Sequence, residues 1–522
     1  MRHLTVLTLL ALAGCGAATR REPPVPTPVP VGSGDISADE LRRDLYAFAD
    51  DSMRGRETGT DDATRAARFL ASRLERLGLE PAGDSMFLQR VPLQRESISA
   101  ASRMVVEERG RQTPLGFGID VIPLVNLGPG IPPPKQHAEG EIVFVGYGSV
   151  LQRPKRDDLA GLDLAGKVVV VVNGAPEGAD SATRATMEAE TAISGRLAQI
   201  LPQHPAAVVV LLAGRGTALF TTLVPELARG VSARTTSAEI PDAERPLPMI
   251  LIGVPRAGSP LLPSGWPADD RPQVLAGRRF VGHVAQERVP FTAYNVVAVV
   301  RGSDPRLRST YVALGAHYDH IGVVSAAGGD SIANGADDDG SGTVSLLAIA
   351  RMLQQAPMKP KRSTLFVWHV GEEKGLLGSA WFTGHPTVPI DSVVAQLNAD
   401  MIGRNAAPLL YTVGPRASPN GQSKRLGAIV DSVNAAQALP FTIDHAWDSA
   451  THPEHIYERS DHFNYARKGI PIVFFTTGMH DDYHKVSDAP SRIDYDKLAR
   501  VARLIRDVVL AVGNEARRPL KP

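Results

Sequence analysis

Five short stretches of the 522-residue chain carry side chains of the kind that bind divalent metal ions. They supply imidazoles and carboxylates from well-separated points of the sequence. The stretches are Gly-Ala-His317-Tyr-Asp319, Asp337-Asp338-Asp339, Gly-Glu372-Glu373, Asn-Ala-Asp400 and Asp482-Tyr483-His484. Each divalent cation takes about four to six hard or borderline donors, so two adjacent cations need several such groups converging on one point. The set therefore predicts a centre that holds two cations.

Short apolar runs precede four of these stretches and predict buried strands. They are rich in β-branched or aromatic residues and cover residues 311–316, 364–370, 393–398 and 470–475. Continuous runs of this kind suit a sheet that is covered on both faces. Helical patterns such as residues 341–353 lie between them, as parallel crossover units require. In an open α/β sheet, ligands bind beyond the carboxyl ends of the strands, which is where these stretches fall.

The order and spacing of these residues resemble those of peptidase family M28, whose members bind two cocatalytic zinc ions. The resemblance covers nearly the whole mature chain and implies a mixed, mostly parallel α/β sheet flanked by helices. By this resemblance, His317 and Asp400 hold one Zn²⁺, Glu373 and His484 hold the other, and Asp338 bridges the two. The bridge makes physical sense because two cations about 3.5–4 Å apart repel each other unless an anion lies between them.

The resemblance also gives roles to three neighbouring residues. Glu372 would be the general base that takes a proton from the shared water. Asp319 would orient the His317 imidazole or its peptide bond, and Tyr483 would offer its hydroxyl to the developing oxyanion. The alternatives are an exposed acidic loop for the glutamate pair, a turn-forming aspartate at 319 and a packing role for the tyrosine.

Residue type alone leaves two choices open. Any of Asp337, Asp338 and Asp339 could be the bridge, and the run could also be only a helix start. His480 and His484 are four residues apart, so either could be the last ligand. The family pattern selects Asp338 and His484, although this chain has aspartates where the family commonly has two amides.

Other polar residues receive weaker assignments. Asp488 is expected to accept a hydrogen bond from the His484 ring. Asp461 belongs to a Ser-Asp-His segment that recurs in the family and is given no role. The remaining histidines are expected at the surface or in packing; they include His320, His385, His452, His455 and His462.

The amino-terminal residues predict export. Arg2 and His3 precede an apolar run over residues 4–13, which is too short to span a bilayer as a mature helix. Leu12-Ala13-Gly14-Cys15 resembles the lipobox of bacterial lipoproteins, so we expect a signal peptide over residues 1–14 and a lipid on Cys15. The enzyme would then be anchored to a bacterial membrane on its periplasmic or cell-surface side. The alternative is an ordinary signal peptide with an incidental cysteine. Cys15 is the only cysteine, which excludes a disulfide within the chain.

Composition shifts predict the domain organisation. Residues 15–34 are rich in proline and would form an extended linker. Ser37 and Glu40 predict a capped helix that begins the first part of the peptidase domain, over residues 35–103. Residues 104–290 have short valine-rich runs, and the segment 161–167 resembles a protease-associated domain inserted before the catalytic region at 291–515. This β-rich insertion would gate the cleft, contact substrate or act as an inert spacer.

The charge balance and the resemblance together limit the function. Lys+Arg and Asp+Glu number 56 each, so no basic excess favours nucleic acid as a partner. The resemblance implies a metal-dependent exopeptidase that acts on peptides or proteins, with an aminopeptidase as the leading interpretation. The same framework also supports carboxypeptidases and glutaminyl cyclases. A non-catalytic, receptor-like relative is a further alternative, but it would be expected to have lost ligands.

Overall fold

The chain divides into two compact units. The computed structural model describes residues 35–519 apart from 126–133, 153–154, 177, 189, 215–216, 218–219, 221–223, 225–231, 236–246, 328 and 453. The inserted unit comprises Gln94–Ala233 and Ser237–Val289, and the described part of the main unit comprises residues 35–93, 234–235 and 290–519. The predicted signal peptide, Cys15 and the proline-rich linker lie outside the described residues.

The elements are numbered here in chain order. The α-helices are α1 (Ala38–Phe48), α2 (Asp61–Arg76), α3 (Ser181–Glu188), α4 (Glu190–Ile200), α5 (Gly342–Gln355), α6 (Leu377–Gly384), α7 (Lys424–Ala435), α8 (His462–Ala466) and α9 (Tyr495–Asn514). The strands are β1 (Glu80–Pro81), β2 (Leu88–Ile98), β3 (Arg103–Glu108), β4 (Arg111–Pro114), β5 (Val121–Pro123), β6 (His137–Phe144), β7 (Val150–Gln152), β8 (Lys155–Asp157), β9 (Val168–Asn173), β10 (Ala207–Leu212), β11 (Ser232–Thr235), β12 (Met249–Gly253), β13 (Gln273–His283), β14 (Gln286–Val300), β15 (Tyr311–His317), β16 (Val323–Ala327), β17 (Asp330–Ile332), β18 (Ser363–His369), β19 (Val393–Ala399), β20 (Leu409–Val413), β21 (Thr442–Asp444) and β22 (Ile472–Thr476). Short helical turns cover Asp51–Arg56, Leu201–Gln203, Ala336–Ser341, Ile390–Ser392, Pro419–Gly421, Ile456–Glu458 and Pro490–Arg492.

A mixed ten-stranded sheet forms the centre of the main unit. Its order is β11-β2-β14-β18-β15-β19-β22-β20-β21, and β1 pairs with β14. The neighbours β18, β15, β19 and β22 run parallel, whereas β14 and β20 pair antiparallel to this group. Every residue of these four parallel strands is buried, which explains why their sequences are nearly continuous in apolar residues. The predicted α/β sheet, mixed and mostly parallel at its centre, is confirmed.

Helices cover this sheet, and α1, α5 and α9 pack against one another. The side chain of Ser37 accepts a hydrogen bond from the backbone N–H of Glu40, as a capping residue should. The carboxylate of Glu40 does not return to the start of the helix. It accepts a 2.7 Å hydrogen bond from Arg351 on α5, and both side chains are buried. The first helix is therefore tied to the helix that follows the aspartate run.

The inserted unit contains an eight-stranded sheet in the order β4-β3-β13-β6-β9-β10-β12-β5. The strands β6, β9, β10 and β12 are mutually parallel. Alternate residues of β9 fall into two apolar clusters, with Val168 and Val170 in one and Val169 and Val171 in the other. Because successive strand residues point to opposite faces, both faces of this sheet are covered.

Candidate metal centre

The rim formed by the carboxyl ends of the parallel strands collects the predicted ligands. His317 is the last residue of β15, Asp400 directly follows β19, and Glu373 lies just after β18. Asp338 lies in the turn Ala336–Ser341 that precedes α5, and the peptide bond from Asp338 to Asp339 is cis. His484 lies in the segment after β22. Since neighbouring parallel strands end at the same edge of a sheet, these side chains meet there.

Two groups of metal-type side chains share one member. The ligand atoms of each group lie within 4.8 Å of one another. The first group is His317, Asp338 and Asp400, and the second is His320, Asp338, Glu373 and His484. All five residues predicted as metal ligands are therefore brought together, and His320 joins them.

The two carboxylate oxygens of Asp338 face different groups. Its Oδ1 lies 3.2 Å from His317 Nε2, and its Oδ2 lies 3.1 Å from His484 Nε2. His484 Nε2 is also 3.0 Å from Glu373 Oε2, and His317 Nε2 is 3.5 Å from Asp400 Oδ1. Donors bound to one tetrahedral zinc ion at about 2.0–2.2 Å lie roughly 3.3–3.5 Å apart. The spacing fits a carboxylate that bridges two cations.

The hydrogen bonding of the imidazole nitrogens indicates whether these residues are suited to binding a metal ion. Nε2 of His317 and Nε2 of His484 are buried and have no hydrogen-bond partner among the residues that the structure describes. Carboxylate oxygens are nevertheless only 3.2 Å and 3.0 Å away. Short separations without hydrogen-bond alignment are expected when donors point to a common centre. The residues therefore fit a pair of divalent cations.

Glu372 lies beside the two groups without belonging to either of them, as far as the described residues go. Its side chain is 11% exposed, and its Oε2 is 4.0 Å from His317 Nε2. Burial raises the pKa of Glu372 well above its ordinary value, and the charges of Asp400 and Glu373 add to this against the opposite effect of His317. A carboxyl group of this kind can exchange a proton at the rim.

Asp319 supports both a predicted ligand and the predicted base. Its backbone carbonyl is 3.1 Å from His317 Nδ1, so the ring can donate there and keep the Nε2 lone pair free. Its carboxylate accepts hydrogen bonds from the backbone N–H of Glu372 at 3.2 Å and from Thr58 Oγ1 at 2.7 Å. Burial raises the pKa of Asp319 to about 6, although His317 opposes the shift.

The two outer aspartates of the run accept hydrogen bonds from backbone N–H groups and do not face both donor groups. Asp337 accepts from the N–H of Gly403 at 2.7 Å, and its other oxygen lies 3.2 Å from His480 Nε2. Asp339 accepts from the N–H of Gly342 at the start of α5, at 2.8 Å. Only the middle aspartate of the three presents one oxygen to each group, and His480 lies beside Asp337, outside both groups as the described residues define them.

The expectation for Asp488 is wrong. Its carboxylate accepts hydrogen bonds of 3.1 Å from the backbone N–H groups of Asp337 and Asp338, and it does not pair with the His484 ring. Asp488 is fully buried. It therefore fixes the turn that carries Asp338, where the backbone N–H groups need an acceptor.

The expectation that His320 is a surface or packing residue is also wrong. The ring is fully buried, and its Nδ1 lies 2.7 Å from Glu373 Oε1. The sequence did offer a signal for a role at the centre. His320 lies three residues after His317, in the short loop that follows the buried strand β15. Its contact with Glu373 depends on the turn of that loop, which no local pattern specifies.

Tyr483 packs directly on a predicted ligand. Its ring stacks on the His484 imidazole with a centroid separation of 3.8 Å and an interplanar angle of 21°. Burial raises the pKa of Tyr483 well above its ordinary value, and the charges of Asp338 and Glu373 act in the same direction. The raised pKa favours the protonated hydroxyl, which can donate a hydrogen bond.

The loop before α2 contributes a buried arginine whose role the sequence did not reveal. Arg56 is fully buried and donates to the carbonyl oxygens of Tyr318 at 2.7 Å, Asn334 at 2.7 Å and Gly335 at 2.9 Å. Burial lowers the pKa of Arg56 to about 10, so it remains charged at neutral pH. It joins the loop after β15 to the turn that carries the aspartates.

The Ser-Asp-His segment also lies against the centre. Ser460 Oγ donates to Asp400 Oδ2 at 2.7 Å. Asp461 Oδ2 is 3.3 Å from His369 Nδ1, and both side chains are fully buried. His462 is buried behind them. The segment thus holds the outer oxygen of one predicted ligand.

The mixed sheet and the paired donor groups define a two-metal centre of the kind found in hydrolases. Residues 295–509 match the model of Peptidase family M28. This region of the chain is therefore similar to that family, and the resemblance drawn from the sequence is confirmed.

Known aminopeptidases are similar to this chain. Leucine aminopeptidase 1 of Trichophyton rubrum is 31% identical over 238 residues, which is 44% of this chain and 60% of the relative. Aminopeptidase Y of Saccharomyces cerevisiae is 28% identical over 224 residues, 40% of this chain and 37% of the relative. The chain thus matches three-fifths or less of the length of these curated relatives.

A solved structure shares the fold. The aminopeptidase from Aneurinibacillus sp. strain AM-1 superposes with a TM-score of 0.55 at 17% identity, covering 93% of this chain and 96% of that one. At this identity the likeness concerns the fold, which is the mixed α/β fold expected from the sequence.

Proposed function

We propose that this protein is a metal-dependent aminopeptidase that releases amino-terminal residues from peptides or proteins. The observation that carries the proposal is the placement of the Asp338 oxygens, one toward each donor group. The similarity to leucine aminopeptidase 1 and to aminopeptidase Y supports the choice of reaction. Two zinc ions bound here would polarise the scissile carbonyl and lower the pKa of the attacking water.

The proposed ligands follow the two donor groups. His317 and Asp400 would hold one ion, Glu373 and His484 would hold the other, and Asp338 would bridge them. Imidazole and carboxylate donors in sets of three or four suit Zn²⁺, which is why zinc is proposed over a harder ion such as Mg²⁺.

Three further side chains would carry or position the protons. Glu372 would take a proton from the attacking water and later give it to the leaving amine, and its position 4.0 Å from His317 Nε2 places it beside both donor groups. Tyr483 would donate its hydroxyl hydrogen to the developing oxyanion. Asp319 would keep the Glu372 loop in place through the 3.2 Å hydrogen bond to the Glu372 N–H.

Export and domain roles belong to the proposal as well. Residues 1–14 would be removed as a signal peptide and Cys15 lipidated, with residues 15–34 as the spacer from a bacterial membrane. Residues 35–103 and 291–515 would build the peptidase, and residues 104–290 a protease-associated insertion. Within the described residues, no helix has the length and apolar character needed to cross a bilayer. Mass spectrometry of the mature amino terminus tests the anchor, and an unmodified residue 15 would contradict it.

A peptide panel tests the reaction itself. The full-length protein would be assayed on peptides with a free amino terminus, on the same peptides after amino-terminal blocking, and on a peptide that begins with glutamine. Each assay would be run before chelation, after chelation and after zinc is restored. We expect release of single residues from free-amine peptides only, loss of that release on chelation and its recovery with zinc.

The panel separates the alternatives. Release of carboxyl-terminal residues from blocked peptides would identify a carboxypeptidase. Formation of pyroglutamate without peptide cleavage would identify a glutaminyl cyclase. No turnover of any peptide by a protein that carries two zinc ions would favour a non-catalytic relative.

A further inference from the structure

We propose that His320 is a positioning residue of the second metal group, which includes Glu373, Asp338 and His484. It would donate a hydrogen bond from Nδ1 to Glu373 Oε1 and so hold Glu373 with its other oxygen toward the ion. The inference rests on the proposed two-metal function and adds a residue to it. No ligand role is assigned to His320 itself.

Distances distinguish a hydrogen bond from shared coordination. His320 Nδ1 is 2.7 Å from Glu373 Oε1, a normal length for a charge-assisted hydrogen bond. Two donors on one zinc ion would lie roughly 3.3–3.5 Å apart. The other oxygen, Glu373 Oε2, lies 3.0 Å from His484 Nε2, which is closer to the separation of two donors on one zinc ion. Glu373 Oε1 would then not bind the ion. Glu373 Oε1 would therefore accept the hydrogen bond from His320, and Glu373 Oε2 would bind the ion.

The other ring nitrogen indicates which tautomer is present. Nε2 of His320 is buried and finds no hydrogen-bond partner within the described part of the chain. A buried N–H without an acceptor costs about 1–3 kcal/mol, so the proton belongs on the nitrogen that faces a carboxylate. A ring with its proton on Nδ1 donates to Glu373 and leaves only a lone pair without a partner on Nε2.

The pocket around the ring fixes its position. Gly335 has φ +57°, and a Cβ atom there would lie 2.4 Å from His320 Cγ. The absence of a side chain at Gly335 therefore makes room for the imidazole. The backbone of His320 forms a bridge with Glu57, and the His484 ring stands edge-on at 5.6 Å. The ring is held on several sides before any ion binds.

A similar hydrogen bond holds the terminal carboxylate of the first metal group. Asp400 presents Oδ1 to His317, while Oδ2 accepts a 2.7 Å hydrogen bond from Ser460 Oγ. Each of the two terminal carboxylate ligands thus has its outer oxygen tied to a buried donor. Outer partners of this kind fix the orientation of a ligand and typically change metal affinity by about 10–100-fold when removed.

Calorimetric titration of the chelated full-length protein with Zn²⁺ tests the inference. His320→Leu and His320→Asn are matched, because the two replacements have nearly the same shape and only asparagine can donate to Glu373. We expect His320→Leu to weaken one of the two zinc-binding steps by about 10–100-fold and to leave the other unchanged. His320→Asn should recover most of that affinity. His385→Leu, at an exposed histidine that stacks on Trp381, is the control and should bind both ions like the parent.

Each remaining result has a definite meaning. Parental affinity for both ions in His320→Leu would overturn the inference. Equal weakening in the Leu and Asn variants, with one imidazole fewer around zinc by X-ray absorption, would overturn it in favour of direct coordination. If His320→Leu does not fold, the test uses folded His320→Asn alone. An affinity of His320→Asn for the second ion that is weaker than that of the parent by more than about tenfold would also overturn the inference. A parent that binds fewer than two ions would instead contradict the proposed function.

Discussion

The two sheets of this protein have the same central arrangement and very different rims. In the main unit, β18, β15, β19 and β22 are parallel neighbours, and in the inserted unit β6, β9, β10 and β12 are. The four strands of the main unit and β9, β10 and β12 of the inserted unit are buried along their whole length, and β6 is buried mainly toward its carboxyl end. The carboxyl ends of the first set carry acids and imidazoles. Both groups of metal-type side chains found in the described ranges lie there.

The rim of the inserted sheet is organised around a buried arginine. Arg196 donates to the carbonyl oxygens of Tyr147 at 2.6 Å and Met187 at 2.8 Å, and it also contacts the side-chain oxygen of Asn173. Burial lowers the pKa of Arg196 to about 10, with Asp158 opposing the shift. These hydrogen-bond acceptors are neutral, so the arginine satisfies strand ends instead of forming a reactive centre.

The comparison shows that chemistry depends on the residues beyond the strand ends and not on the sheet. Parallel strands buried on both faces bring their ends to a common edge in either unit. A cation site arises where those ends carry several carboxylates and imidazoles. A structural hydrogen-bond network arises where Arg196 of the helix α4 meets neutral oxygens. The fold alone assigns neither role.

Removal of the proposed bridging carboxylate should have the largest effect on the main rim. Asp338→Ala takes an oxygen from both donor groups at once, so we expect loss of both zinc ions and of measurable peptidase activity. Metal content by atomic emission and turnover of a free-amine peptide would be measured together. Asp337→Asn is the matched control, because an amide oxygen can still accept from Gly403, and it should keep both ions. Full zinc content in Asp338→Ala would exclude the bridging role.

Substitution of the proposed base should separate catalysis from metal binding at the same rim. Glu372→Gln keeps the shape of the side chain and removes its ability to take a proton. We expect kcat to fall by about 10²–10⁴-fold with two zinc ions retained. Steady-state kinetics and metal analysis of the same preparation check this. Activity equal to that of the parent would reject Glu372 as the base.

The inserted rim should respond to mutation in stability and not in metal content. Arg196→Met removes the guanidinium that donates to buried oxygens of Asn173 and Met187, so we expect the free energy of unfolding to fall by about 2–3 kcal/mol. Arg279→Met is the control, since its pair with Glu139 is about half exposed and should matter by less than about 1 kcal/mol. Denaturant unfolding with metal analysis would show the difference. Loss of zinc from folded Arg196→Met would contradict the division between the two rims.

The sequence predicts the strands and much of the centre because the relevant signals are local. Each run that precedes a ligand is buried along its whole length, so the hydrophobic pattern marks its end to within two residues. Since parallel strands share an edge, the side chains after those ends meet. The family pattern then distinguishes Asp338 from its neighbours, which residue type could not do.

The residues that the sequence did not assign correctly make contacts set by distant loops. Asp488 accepts hydrogen bonds from backbone N–H groups 150 and 151 residues earlier. No local sequence pattern around Asp488 predicts these partners. His320 reaches Glu373, 53 residues later, through the turn of its own loop. Such contacts follow from tertiary placement, which hydrophobic periodicity does not encode.

The buried Arg56 also shows which separate parts of the chain are needed to build the candidate metal centre. It precedes the insertion, whereas the carbonyl oxygens that it binds belong to Tyr318, Asn334 and Gly335, 262 to 279 residues later. Thr58 reaches Asp319 from the same loop. An expression fragment limited to the family-matched region would leave these acceptors without their donors. The main unit is thus discontinuous in the chain, and truncation designs must keep both flanks of the insertion.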